Sequence, residues 1–110
     1  MTKKDLEIIQ GTTKPITMEL PTGYSFTTGD HVYLSVKTNF EDTSYVIQKD
    51  LEPTTGDTTV DLSLTPTETA TLIAKNPYVY DIQWNKITGG DKHTLVIGML
   101  KVSLRATEEW

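Results

Sequence analysis

Two histidines, His31 and His93, each follow a turn, Gly29-Asp30-His31 and Gly90-Asp91-Lys92-His93. An imidazole can serve as a general base when it lies beside a hydroxyl or thiol and a third group orients it. No Gly-x-Ser-x-Gly elbow stands near either ring, and the chain has no cysteine. Metal binding by Asp30, His31, Asp91 and His93 would need both turns to meet at one end of the molecule, and nothing in the spacing demands that. Surface histidines at strand ends explain both positions without chemistry. The expectation is no enzymatic activity, no metal and no cofactor.

Other polar groups read the same way. Thr28-Gly29-Asp30, Thr55-Gly56-Asp57 and Thr88-Gly89-Gly90-Asp91 recur along the chain. A calcium-binding loop rim is one reading, but the Asp-x-Asp pattern is missing. Glycine supplying positive φ and aspartate capping the turn is the better one. Asp81 sits mid-strand in Tyr78-Val79-Tyr80-Asp81-Ile82-Gln83-Trp84. With Tyr78, Tyr80, Ile82 and Trp84 on the core face, Asp81 and Gln83 point outward. Asp81 is then an exposed or edge carboxylate bonding a neighbouring Thr or Lys, or an interface group. Among the aromatics, Tyr33 lies opposite Val32, Leu34 and Val36, and Trp110 stands at the end of the sequence. With Asp81, these two are the candidate contact residues.

The elements that must position these groups are strands. One domain is expected over residues 1–110. Threonine is the compositional outlier, at 20 of 110 residues, and its branched Cβ suits a pleated, half-exposed surface. The net charge of −5 disfavours a groove for nucleic-acid phosphates. No apolar run approaches the roughly 18–20 residues of a membrane span, and Met1-Thr2-Lys3-Lys4-Asp5 lacks the apolar core of a signal peptide. Without disulfides, cohesion must come from apolar packing.

Ile16, Met18 and Leu20 alternate with Thr17 and Glu19, and Val32, Leu34 and Val36 alternate with Tyr33, Ser35 and Lys37. Both runs read as strands with one buried face. Tyr24–Phe26 reads as a short extended piece. Ser44–Leu51, Val60–Leu64, Tyr78–Ile87 and Thr94–Ala106 follow as strands, with Gly89-Gly90 as a hairpin turn. Gly98 suggests a bulge or a close backbone approach. Thr65, Pro66 and Glu68 form a capping box with a helix-starting proline, and Asn76-Pro77 stops that helix. The spacing predicts an immunoglobulin-like sandwich of seven or eight antiparallel strands with one helical turn near residues 66–74. Tyr78, just past that turn, is a candidate tyrosine corner.

Several segments, taken in order, resemble a family of small phage structural proteins. The family includes the amino-terminal domain of baseplate upper proteins and related tail or virion accessory proteins. The carrying residues are Gly11-Thr12 before Ile16-Thr17-Met18-Glu19-Leu20, and Gly29-Asp30 before Val32-x-Leu34-x-Val36. Leu64-Thr65 with Glu68-Thr69 then leads into Tyr78-x-Tyr80-Asp81-Ile82-Gln83, followed by Thr94-Leu95-Val96-x-Gly98-x-Leu100-x-Val102. The resemblance implies an immunoglobulin-like sandwich that works by assembly, in the virion or in the host cytoplasm during assembly. Its partners would be further copies of itself and other phage structural proteins, with no nucleic acid and no membrane. A carbohydrate-binding or adhesion module is the alternative. That reading needs a coplanar row of exposed aromatics, to which Trp84, Gln83 and Asp81 contribute only if the strand faces are reversed.

Overall fold

The computed structural model describes residues 2–74 and 76–104. Alternation drives its layers. On β4 (His31–Lys37), Val32, Leu34 and Val36 are fully buried, and on β7 (Pro77–Asn85) Tyr78, Tyr80, Ile82 and Trp84 face the same side. These two strands pair antiparallel and form the centre of a six-stranded sheet. Its remaining members are β1 (Thr2–Lys3), β2 (Leu6–Ile9), β5 (Ile47–Leu51) and β8 (Lys92–Ser103). The order across the sheet is β1-β8-β7-β4-β5, with β2 also on β8. A smaller layer pairs β3 (Thr17–Glu19) with β6 (Thr59–Asp61), making eight strands among the described residues. Buried side chains of both layers, including Ile16, Leu20, Leu62 and Leu64, meet in one cluster. The molecule is an immunoglobulin-like β-sandwich.

The expected all-antiparallel pairing fails at one edge. β1 and β2 run parallel to β8. The start of β3 lies at the end of the sandwich that carries the helix, because Lys14 there bridges to Leu64. β2 must run toward that end to deliver the chain to β3, and β8 runs the same way. The break between β1 and β2 is bridged by a side chain: Met99 N–H donates to Asp5 Oδ1 at 3.0 Å.

Element limits also differ from expectation. Tyr24–Phe26 forms no strand, although the Phe26 N–H and carbonyl bond Asp57 and Gly56 and so extend the small layer. The segment expected from Ser44 becomes a strand only at Ile47, leaving Tyr45 and Val46 exposed. β7 stops at Asn85, short of Ile87, because Ile87 turns away to bond Asp30. Residues 105 and 106, expected to finish the last strand, lie outside the described residues.

Helix α1 (Pro66–Ala70) has a full capping box: Glu68 N–H donates to Thr65 Oγ1 at 3.2 Å, and Thr65 N–H to Glu68 Oε1 at 2.9 Å. It ends at Ala70, four residues before the expected limit of 74, and one turn is all that this connection between layers requires. Burial works against ionising Glu68, but the Thr65 N–H and the Lys49 ammonium outweigh it and hold its pKa below the ordinary value. Lys49 projects inward from the edge strand β5, bonding Glu68 at 3.1 Å and the Ser63 carbonyl at 2.5 Å. An inward-pointing charge on an edge strand discourages pairing with another sheet. Thr65→Ala is expected to cost about 1 kcal/mol, read as a lower urea midpoint at unchanged slope. Beyond the helix, the Tyr78 hydroxyl accepts the Ile73 N–H at 2.9 Å, pinning the chain as it enters β7.

Candidate functional site

Two regions hold the residues that the sequence singles out, and a third emerges only from the fold. The first is the loop end. Thr27-Thr28-Gly29-Asp30 and Thr54-Thr55-Gly56-Asp57 fold into the same turn, with positive φ at Gly29 and Gly56. In each, the aspartate carboxylate accepts the N–H three residues earlier, at 2.9 Å. The turns clasp reciprocally: Thr28 N–H donates to Thr55 Oγ1 and Thr55 N–H to Thr28 Oγ1, at 2.8 and 3.1 Å. These contacts tie the two layers together and use the groups that a cation would need.

Asp30 does more than cap its turn. Its carboxylate also accepts Trp84 Nε1–H at 3.0 Å and Ile87 N–H at 2.9 Å, and the residue is 1% exposed. Burial favours the neutral acid. The N–H groups of Ile87, Thr27 and Trp84, with Lys86 nearby, outweigh it and hold the pKa below the ordinary aspartate value. The two Gly-Asp turns therefore do meet, through Asp30 and Ile87, but the imidazoles diverge. His31 lies on the outer face, with Nδ1 2.7 Å from Asp50 and Nε2 3.3 Å from Glu52. His93 pairs across from Trp84, its ring 5.8 Å from the indole. Asp50 and Glu52 sit on opposite sides of the His31 ring and do not converge on one point. Among the described residues, no cluster of three His, Asp or Glu could hold a metal ion.

The His31 contacts have a pH consequence. The hydrogen bond to Asp50 raises its pKa above the ordinary histidine value, against partial desolvation and with help from the charges of Asp50, Glu52 and Asp30. A raised folded value means that this stabilisation is complete below the unfolded pKa, near 6.5, and fades as pH rises through the folded value. The urea midpoint of His31→Gln should therefore fall short of wild type at pH 5.5 and converge on it by pH 9. A gap that stays constant across that range would contradict the assignment.

The second region is the outer face of the large sheet. Tyr33 is half-buried there, stacked on His31 with the rings 5.7 Å apart and 10° from coplanar. Asp81 is on the same face, paired across the sheet with Ser35 and Ile97. No hydrogen bond to its carboxylate forms among the described residues. Burial raises its pKa, partly offset by Lys37. Trp84 faces the opposite side, so Trp84, Gln83 and Asp81 make no aromatic row. Trp110 lies outside the described residues.

The third region carries no sequence signal. Nine large apolar side chains stand well exposed among the described residues. Seven of them, Ile9, Phe40, Tyr45, Val46, Ile73, Met99 and Leu104, belong to strand ends and connections at the α1 end, while Tyr24 and Ile87 lie at the loop end. They come from six separate stretches of chain, so no run or period marks them. A groove of about 630 Å³ opens there between Leu6, Pro77, Met99 and Leu104.

At the loop end a smaller cleft of about 280 Å³ is lined by Leu20, Pro21, Tyr24, Trp84, Lys86, His93, Thr94 and Leu95. Lys86 Nζ lies 5.3 Å from the Trp84 ring centre. Leu95 reaches the cleft because the β7–β8 register shifts between Ile82 and Gln83, leaving it as the extra residue.

No protein-family model matches the chain, and no match was found among curated proteins. Solved structures similar to it include the extracellular domain of the voltage-gated sodium channel beta4 subunit, described as forming parallel homodimers that explain its role in cell–cell adhesion. The identity is 10%, the TM-score 0.47, and the alignment covers 96% of this chain and 94% of that one. A second comes from photo-crosslinking of multimeric cell-adhesive interactions of sodium channel beta subunits, at 11% identity, TM-score 0.47 and coverage of 96% and 93%.

Proposed function

We propose that the chain is a non-enzymatic docking module of a phage tail, baseplate or virion, assembling with copies of itself or with other phage structural proteins. The observation that carries the docking reading is the gathering of exposed apolar side chains at the α1 end. Large apolar side chains left exposed at one end of a small protein are a candidate interaction surface. The order of motifs along the chain supports the phage setting, and the site of action would be the virion or the host cytoplasm during assembly. No described helix is long and apolar enough to cross a membrane. Adhesion between copies would use the same surface. A glycan-binding module would instead need exposed coplanar aromatics, and a blank titration with cell-wall polysaccharide removes it.

The test is sedimentation or light scattering over a range of concentrations. Wild type should associate with itself or with a virion protein, and Phe40→Asp with Met99→Asp should weaken that association by about tenfold or more. A strict monomer that binds no other virion protein would overturn the reading.

A further inference from the structure

The loop-end cleft is chemically opposite to the last residues of the chain. Its floor is apolar and aromatic, from Leu20, Tyr24, Trp84 and Leu95, and its polar groups are Lys86, His93 and Thr94. In a chain of net charge −5, an apolar cleft bearing lysine and histidine selects an acidic segment with a large apolar side chain. Glu108-Glu109-Trp110 has that composition.

Geometry decides between the chain's own cleft and another copy's. β8 begins beside the cleft, with His93 and Thr94 in its lining, and runs to Ser103 at the α1 end. Thr94 to Leu104 spans about 33 Å of extended strand. Trp110 lies six residues beyond Leu104, and six residues reach about 20 Å at most. It cannot return to the cleft of its own chain.

We infer that the cleft lined by Tyr24, Trp84, Lys86, His93 and Leu95 receives Glu108-Glu109-Trp110 of a second copy. This rests on the docking reading and adds its geometry. The indole occupies the apolar floor, and the two carboxylates meet Lys86 and His93. Leu104, from which the segment departs, is at the end of the molecule opposite the cleft, so the interface is head-to-tail. Each copy keeps one free cleft and one free tail, and the assembly grows unless rotation closes it into a ring. The apolar α1 end of one copy then faces the loop end of the next, where Tyr24 and Ile87 stand exposed.

A head-to-tail interface can be complemented by two half-dead variants. Trp110→Ala of the full chain keeps the cleft and loses the tail, whereas Lys86→Glu keeps the tail and loses the cleft. Tyr24→Ala, at an exposed position, is a second cleft variant, and near-UV circular dichroism checks that each is folded. In analytical ultracentrifugation, wild type should form species larger than a dimer as concentration rises. Each variant alone should associate at least ~10-fold more weakly. An equimolar mixture of Trp110→Ala with Lys86→Glu should stop at a 1:1 dimer, since one intact tail meets one intact cleft. If wild type associates and both variants match it, or if the mixture stays monomeric, the inference fails while docking through the α1 end survives. If wild type neither self-associates nor binds a virion protein, both fall.

Discussion

Replacing Gly98 with alanine is expected to strip the N-terminal strands from the edge of the large sheet. A Cβ at that position would lie 2.0 Å from the Lys4 carbonyl oxygen, 2.7 Å from its carbon and 3.1 Å from Cε1 of Tyr80. Two of those three atoms are backbone and have little freedom to yield. The Lys4 peptide is held from both sides, its N–H on the Ile97 carbonyl at 3.0 Å and its carbonyl on the Tyr80 hydroxyl. Tyr80 is itself 1% exposed. An added methyl must therefore push Lys4 outward, breaking the hydroxyl bond and the parallel pairing of β1 and β2 with β8. Overpacking of this kind costs about 3 kcal/mol, or a melting temperature roughly 13 °C lower for a domain of this size. Hydrogen exchange should also show the Ile8 and Gln10 amides losing protection before those of β4 and β7. Tyr80→Phe leaves the space open and removes only the bond, so about 1 kcal/mol is expected. A Gly98→Ala protein that melts within a degree of wild type, with β2 still protected, would refute the close approach.

That contact also shows where sequence reading ends. A glycine inside an apolar strand announces that something comes near, because a strand interior otherwise favours a side chain. It does not say what, and the partner here is 94 residues away. Alternation told the faces of β4 and β7 apart because each obeys a period of two against a single core. The helix cap is visible for a similar reason, since its partners lie three residues apart. The parallel edge was hidden, because hairpin spacing constrains successive strands and says nothing about the first strand meeting the last. The docking surface was hidden more completely. Ile9, Phe40, Ile73 and Met99 look like ordinary strand or loop residues, and only the fold gathers them. The loop-end cleft depends on a one-residue register shift that turns Leu95 toward it, and no local pattern encodes that.

Asp30 is the strongest case of a residue whose local role conceals a distant one. A Gly-Asp turn explains its bond to Thr27, but its carboxylate also holds the Trp84 indole and the Ile87 amide, 54 and 57 residues on. Phe26 packs edge-on against that same indole, with ring centres 5.2 Å apart, so the carboxylate sets the orientation of an aromatic pair at the floor of the sandwich. Asp30→Ala would leave three N–H donors without an acceptor in a site 1% exposed. Each such orphan costs about 1–3 kcal/mol. A total near 4 kcal/mol is a large share of the roughly 5–15 kcal/mol that holds a domain folded, and the variant should be largely unfolded at moderate urea. Asp30→Asn separates charge from shape, keeping one acceptor oxygen but turning an amide toward donors. Because the folded pKa lies below the unfolded value near 3.9, the carboxylate's contribution is complete above that value and lost as pH falls through the folded one. The stability difference between wild type and Asp30→Asn should therefore stay level from pH 7 to about 4.5 and narrow steadily below pH 4. Glu68 and Asp61 also have lowered values, but they titrate in both proteins and cancel in the difference. A gap of constant size from pH 7 down to pH 2.5 would mean that the ionised carboxylate does not hold Trp84 and Ile87 in place.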